Sequence, residues 1–112
     1  MKLAIPLAEG VLASHFGHCK TFALIDADPA TKKILEKKEV TPPPHEPGLF
    51  PAWLAGLGVT HILAGGMGER AQGLFAQNNI QVIIGAPAQT PESLVALFLN
   101  GNLQPGKNPC DH

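Results

Sequence analysis

With 112 residues, 45% of them apolar and 15% charged, the chain has the length of one domain and enough apolar material for a core, which excludes a disordered polymer. A formal net charge of −1, no clustered basic stripe, no tyrosine and one tryptophan leave nucleic acid without an electrostatic track or a stacking platform. The apolar runs are short and broken by glycine, so none supplies the roughly 20 residues a membrane helix needs. Lys2 is followed at once by a strand-like run instead of a signal-peptide core, so the expectation is a cytoplasmic protein. In that compartment its two cysteines read as ligands or free thiols, a Cys19–Cys110 disulfide being the less favoured alternative.

Lys2 to Leu7 reads as a first strand, broken by Ala8-Glu9-Gly10. Ser14-His15-Phe16-Gly17-His18-Cys19 follows, and Thr21 to Asp26 is a second strand with turn chemistry at Asp26-Ala27-Asp28-Pro29. Lys33 to Val40 is a third strand whose lysines and glutamates suit a sheet edge. Short connections predict an antiparallel meander, with the His/Cys stretch in the loop between the first two strands. Thr41 to Gly48 is too rich in proline for helix or central strand and becomes a stiff connector carrying His45. Leu49, Trp53, Leu54 and Leu57 fall at helical spacing, with Gly58 as the stop.

The pattern then changes to strand–helix alternation. His61 to Ala64 is a buried strand, Gly65-Gly66-Met67-Gly68 opens a helix over Glu69 to Asn78, and Gln81 to Ile84 is another strand. Thr90 caps a last helix, with Pro91 at its first position, Glu92 at the positive end of the dipole, and Leu94, Val95, Leu97 and Phe98 as the core face. Antiparallel strands followed by parallel ones with crossover helices predict an α/β domain over residues 1–103, built on a mixed five-stranded sheet flanked by helices. The tail, 104–112, shows no structural pattern.

Two imidazoles and a thiol within five positions make His15, His18 and Cys19 the leading metal ligands, suited to zinc, copper or an iron–sulfur centre. Cys19 must ionise to serve, and neighbouring cationic imidazoles lower a thiol pKa from about 8.5. The stiff linker is able to hold His45 over the same site. In an extended tail Cys110 and His112 point the same way and chelate one ion, the competing reading being a frayed terminus. At Gly65-Gly66-Met67-Gly68, free N–H groups and the helix dipole make an anion site, or the glycines serve only tight packing. Gly66 to Ala71 fits the loose dinucleotide pattern G-x-G-x-x-A, yet no acidic residue ends the next strand to hold a ribose. Met67 offers a thioether or fills the core, and His61 reads as structural. Nuclease chemistry lacks acidic residues on the first strand and on His61 to Ala64. A cysteine hydrolase lacks an identifiable oxyanion hole and orienting residue.

Taken together these motifs resemble one family. Ser-His-Phe-Gly-His-Cys after a strand ending Ile5-Pro6 is similar to the S-x-H-F-G loop of the dinitrogenase iron–molybdenum cofactor biosynthesis family, which includes NifX-type, NifB-C-terminal-type and orange-protein-type members. Pro51-Ala52-Trp53-Leu54, Gly58-Val59, Ala64 to Ala71 and Ile80 to Gly85 follow in the family's order, and Asn108 to His112 resembles the ending of a subgroup from anaerobes. Relatives often carry proline before the loop histidine, where Ser14 stands here.

The resemblance implies a ribonuclease H-like fold without nuclease activity, used to bind or carry a metal–sulfur cluster. It transfers a binding role to His15, Phe16 and Gly17 and to Gly65, Gly66, Met67 and Gly68. The cargo it implies is a molybdenum- or iron-containing sulfur cluster, including a molybdenum–copper one, exchanged with cluster-assembly or acceptor proteins and without catalysis. Two other readings stay open: a simple zinc or copper site, and a cofactor-free protein-interaction domain.

Overall fold

Apolar side chains that alternate between two faces of a central strand set the architecture. A computed structural model describes residues 1–13, 20–43, 49–101 and 103. In chain order the elements are β1 (Lys2–Ala8), β2 (Val11–Leu12), β3 (Thr21–Asp28), β4 (Lys33–Val40), α1 (Leu49–Gly56), β5 (His61–Leu63), α2 (Glu69–Gln77), β6 (Gln81–Ile83) and α3 (Pro91–Leu99). The sheet runs β4-β3-β1-β5-β6, antiparallel on one side of β1 and parallel on the other, with β2 paired to β1 off this path. The expected five-stranded mixed sheet is present, and β2 adds a sixth, two-residue strand. Ala8-Glu9-Gly10 is thus more than a break. Glu9 (φ 56°) and Gly10 (φ 84°) are the central residues of a tight hairpin that turns the chain back on β1.

The two-residue period divides the core. Ala4, Phe22, Leu24 and Ile62 pack under Phe50 and Leu54 of α1 and Phe75 of α2. Leu3, Ile5, Leu7, Ala23, Ile25 and Leu63 pack under Leu94 and Val95 of α3. The last helix therefore lies on the face opposite the first two. Leu94 and Val95 of its expected core face are fully buried, while Leu97 and Phe98 are half-buried. In α1 the deepest residues are Phe50, Pro51 and Leu54; Leu49 and Trp53 stay half-buried, as does Leu57 just past the helix end. Phe22 meets Phe50 and Trp53 edge-on, with centroids 5.6 and 5.7 Å apart.

At the far edge, β4 is exposed along nearly its whole length, and its pairing with β3 is interrupted by a bulge at Asp26/Ala27. Charge and bulge together discourage a further strand from adding there. Among the described residues no helix is long and apolar enough to cross a membrane. The expected tail, 104–112, lies outside the described residues.

Candidate functional site

Proline at position 6 decides where the sheet opens. In β1, Lys2 and Ala4 bond toward β5 and the odd-numbered residues toward β3, as Thr60 N–H to Lys2 O and Ala27 N–H to Met1 O demonstrate. Pro6 falls on the β5 side and has no N–H to give. The β1–β5 register accordingly ends at Ala4↔Ile62. Beyond it the vacated side of β1 is taken by β2, with Leu7 opposite Leu12, and Pro6 O accepts from the Ala13 N–H at 2.9 Å. Lys20 N–H donates to Leu7 O at 2.8 Å. Ala13 and Lys20, the residues flanking the His/Cys loop, are thereby pinned at the carboxyl end of β1.

The connections leaving the carboxyl ends of β1 and β5 diverge. Leu12 joins the core on the α3 face, whereas Met67, after β5, joins the core on the α1/α2 face. In open α/β sheets such a divergence leaves a crevice where ligands bind. The β4–α1 connector begins at the same edge, since Val40 is opposite Phe22 and Phe22 opposite Pro6.

In the Gly65–Gly68 turn, Gly66 is buried and Gly68 is the exposed N-cap of α2, in extended conformation and without a side-chain cap. The first helical bond runs from Gln72 N–H to Gly68 O, so the N–H groups ahead of it have no partner within the helix. Thr90, by contrast, caps α3 by accepting from the Ser93 N–H. Met67 points inward, 1% exposed, and its carbonyl accepts from Gln72 Nε2 at 2.8 Å. Its side chain is core filler, and its main chain is what it presents to the turn.

A third loop closes the set. Gly85 N–H donates to Gly65 O at 2.9 Å, Ala86 N–H to Ala64 O at 3.1 Å, and Gln89 O accepts from Leu12 N–H at 3.1 Å. This loop carries no acid, base or thiol to mark it in the sequence, yet Ile83-Ile84-Gly85 repeats the strand-then-glycine pattern of Leu63-Ala64-Gly65.

His15, Phe16, Gly17, His18, Cys19, His45, Cys110 and His112 lie outside the described residues. Among the described residues no three of His, Cys, Asp and Glu come together as a metal cage. Helix α3 returns to the opposite edge, where Phe98 meets the His61 ring at 5.5 Å.

His61 sits at that opposite edge, with Nδ1 2.8 Å from Thr60 Oγ1. Burial lowers its pKa below 6.5, the N-terminal ammonium lowers it further, and a hydrogen bond with Gln81 opposes both. An open groove of about 760 Å³ flanks β6 and is lined by Gln72, Ala76, Ile80 and Val82 among others, with no acid, base or thiol in its wall. Neither place has the chemistry of the carboxyl edge.

The fold defines a small mixed-sheet α/β domain in which main-chain bonds link three connecting loops at the carboxyl ends of its parallel strands. The chain belongs to the dinitrogenase iron-molybdenum cofactor family, whose model matches residues 1–101. An uncharacterized protein of Methanocaldococcus jannaschii, MJ0580, is 32% identical over 107 residues, covering 93% of this chain and 90% of that one. The crystal structure of PH0822 superposes with a TM-score of 0.84 at 25% identity, covering 93% of each chain. The apo form of the orange protein from Desulfovibrio gigas gives 0.72 at 23% identity, over 96% of this chain and 94% of that one, a likeness of fold.

Proposed function

We propose that this protein binds and carries a molybdenum- or iron-containing sulfur cluster, or its precursor, in the crevice between the His15–Cys19 loop and the Gly65–Gly68 turn. The observation that carries this reading is the divergence of the β1 and β5 connections at one edge, with the flanks of the His/Cys loop pinned beside the uncapped glycine turn. Family membership supports the cargo class. Metal–sulfide clusters are commonly anionic, and main-chain N–H groups at a helix start attract anions without covalent ligation. His15 and His18 add imidazole donors, Cys19 adds a thiolate, and His45 enters from the proline linker. A carrier must release its cargo to an assembly or acceptor protein, which favours few ligands and an open site. No catalytic step is assigned to any residue.

The test is anaerobic purification with an optical spectrum and elemental analysis for Mo, Fe, Cu and Zn, followed by titration with tetrathiomolybdate, alone and with Cu(I) or Fe(II). Visible charge-transfer bands with stoichiometric molybdenum or iron are expected. His15→Ala and Cys19→Ser are each expected to weaken binding at least tenfold with an unchanged melting temperature. Unaltered binding in both would remove that loop from the site. One-to-one zinc or copper on a chain that takes up no thiometallate would replace the cluster carrier with a bare-ion site.

A further inference from the structure

The β6–α3 loop bonds at once to Leu12 of β2 and to Ala64 and Gly65 after β5, although neither its composition nor its place in the chain marks it as chemical. We infer that Gly85 to Gln89 is a positioning element that fixes the spacing between the Gly65–Gly68 turn and the stem of the His15–Cys19 loop, and so sets the affinity of the crevice for a thiometallate anion. This inference rests on the function proposed above.

Main-chain bonds carry the argument. On one side, the Gly85 and Ala86 N–H groups donate to the carbonyls of Gly65 and Ala64, prolonging the β5–β6 contact past the last paired residues, Leu63 and Ile83. On the other side, Gln89 O accepts from the Leu12 N–H, the outward group of the short strand that occupies the place beside β1 left open by Pro6. The spacing between the two walls is therefore relayed through five residues.

Those five residues are held internally. Gln89 N–H donates to Pro87 O at 2.9 Å, and Ser93 Oγ donates to Gln89 Oε1 at 2.7 Å, tying the loop to the first turn of α3. Ala86 and Pro91 are buried, and Ala86 packs in the same core as Leu12 and Leu94. Gly85 is the pivot. Its φ of +79° is open to glycine, tolerated by asparagine and strained for alanine or a β-branched residue. A side chain at Gly85 that cannot hold this φ must rotate the peptide whose N–H reaches Gly65.

The experiment compares wild type, Gly85→Ala, Gly85→Asn and Gln89→Ala by anaerobic titration with tetrathiomolybdate and by amide hydrogen exchange. In Gly85→Ala the affinity falls at least tenfold, and exchange accelerates at Gly85, Ala86 and Leu12 while β1 and β3 stay protected. Gly85→Asn recovers the affinity to within about threefold, which a loss due only to added bulk does not allow. Gln89→Ala, which cuts the tie to Ser93 and leaves the core intact, loses threefold or more and carries the test should Gly85→Ala not fold. Wild-type affinity in folded Gly85→Ala and in Gln89→Ala overturns the inference and leaves the proposed function standing. A wild-type chain that binds no tetrathiomolybdate overturns both.

Discussion

The two edges of the sheet are made of different material. At the amino edge, side chains and termini close the structure: the Met1 ammonium donates to Ala27 O, Lys2 Nζ donates to Leu57 O, and Thr60 Oγ1 bonds both the N–H and the carbonyl of Lys2. Among the described residues, main chain links the carboxyl edge: the Glu9-Gly10 hairpin, the Gly65–Gly68 turn and the Gly85 loop are joined there by peptide groups. Side-chain bonds lock one arrangement, whereas peptide N–H groups without an intrahelical partner suit an anionic ligand. Under the proposed function, stability rests on one edge and recognition on the other, and substitutions are expected to separate the two.

The largest effect comes from a residue beneath the carboxyl edge that both properties share. Phe75 is fully buried and packs in the same core as Met67, so Phe75→Ala is expected to cost about 3–5 kcal/mol by denaturant titration and to lower thiometallate binding with it. Next is a change that sends the two properties in opposite directions. Gly68 has open space where a Cβ would be, and Gly68→Asp places a carboxylate on the uncapped first turn of α2. Stability rises by a few tenths of a kcal/mol, while tetrathiomolybdate affinity falls at least tenfold, about 1.4 kcal/mol, because the carboxylate occupies and repels from the anion position.

The amino edge gives the converse. Thr60→Val removes the hydroxyl that bridges Lys2 and His61, and at this exposed position the loss is about 0.5–1 kcal/mol in chemical denaturation, with binding unchanged. The smallest effect is that of His61. Its pKa is lower in the folded chain than in the unfolded one, so the unfolded chain protonates first as pH falls. Its share of stability is intact above about pH 6.5 and is lost below it, as pH falls toward the folded pKa. The half-buried ring keeps that share small, because solvent screens it. His61→Gln is expected to flatten the stability profile between about pH 7 and 5 without altering thiometallate uptake.

How much of this was legible follows from what each residue signals locally. Alternating apolar runs, the Thr90-Pro91 cap and the Gly58 stop announce their elements because each acts within a few residues of itself. The two-residue β2 carries no periodicity, and its hairpin places Glu9 where glycine or asparagine is the usual marker, so only the tertiary pairing reveals it. Pro6 reads locally as the end of a strand. In the fold it lies inside β1, two residues past Ala4, whose pairing with Ile62, 58 residues further along the chain, is the last between β1 and β5. Similarly, Met67 was ambiguous between thioether ligand and core filler until α2 and α1 were placed on one face. The linkage of the three loops runs through peptide groups, which are the same in every residue and leave no mark in the side-chain pattern.

The most direct test of the contrast between the edges is an anaerobic ¹H–¹⁵N correlation spectrum of the labelled chain titrated with tetrathiomolybdate. The account predicts shifts at Gly10 to Ala13, Gly65 to Glu69 and Gly85 to Gln89, and none at Lys2, Leu57 or His61. Shifts concentrated at the amino edge or along the outer side of β6, with the three glycine loops unmoved, would contradict it.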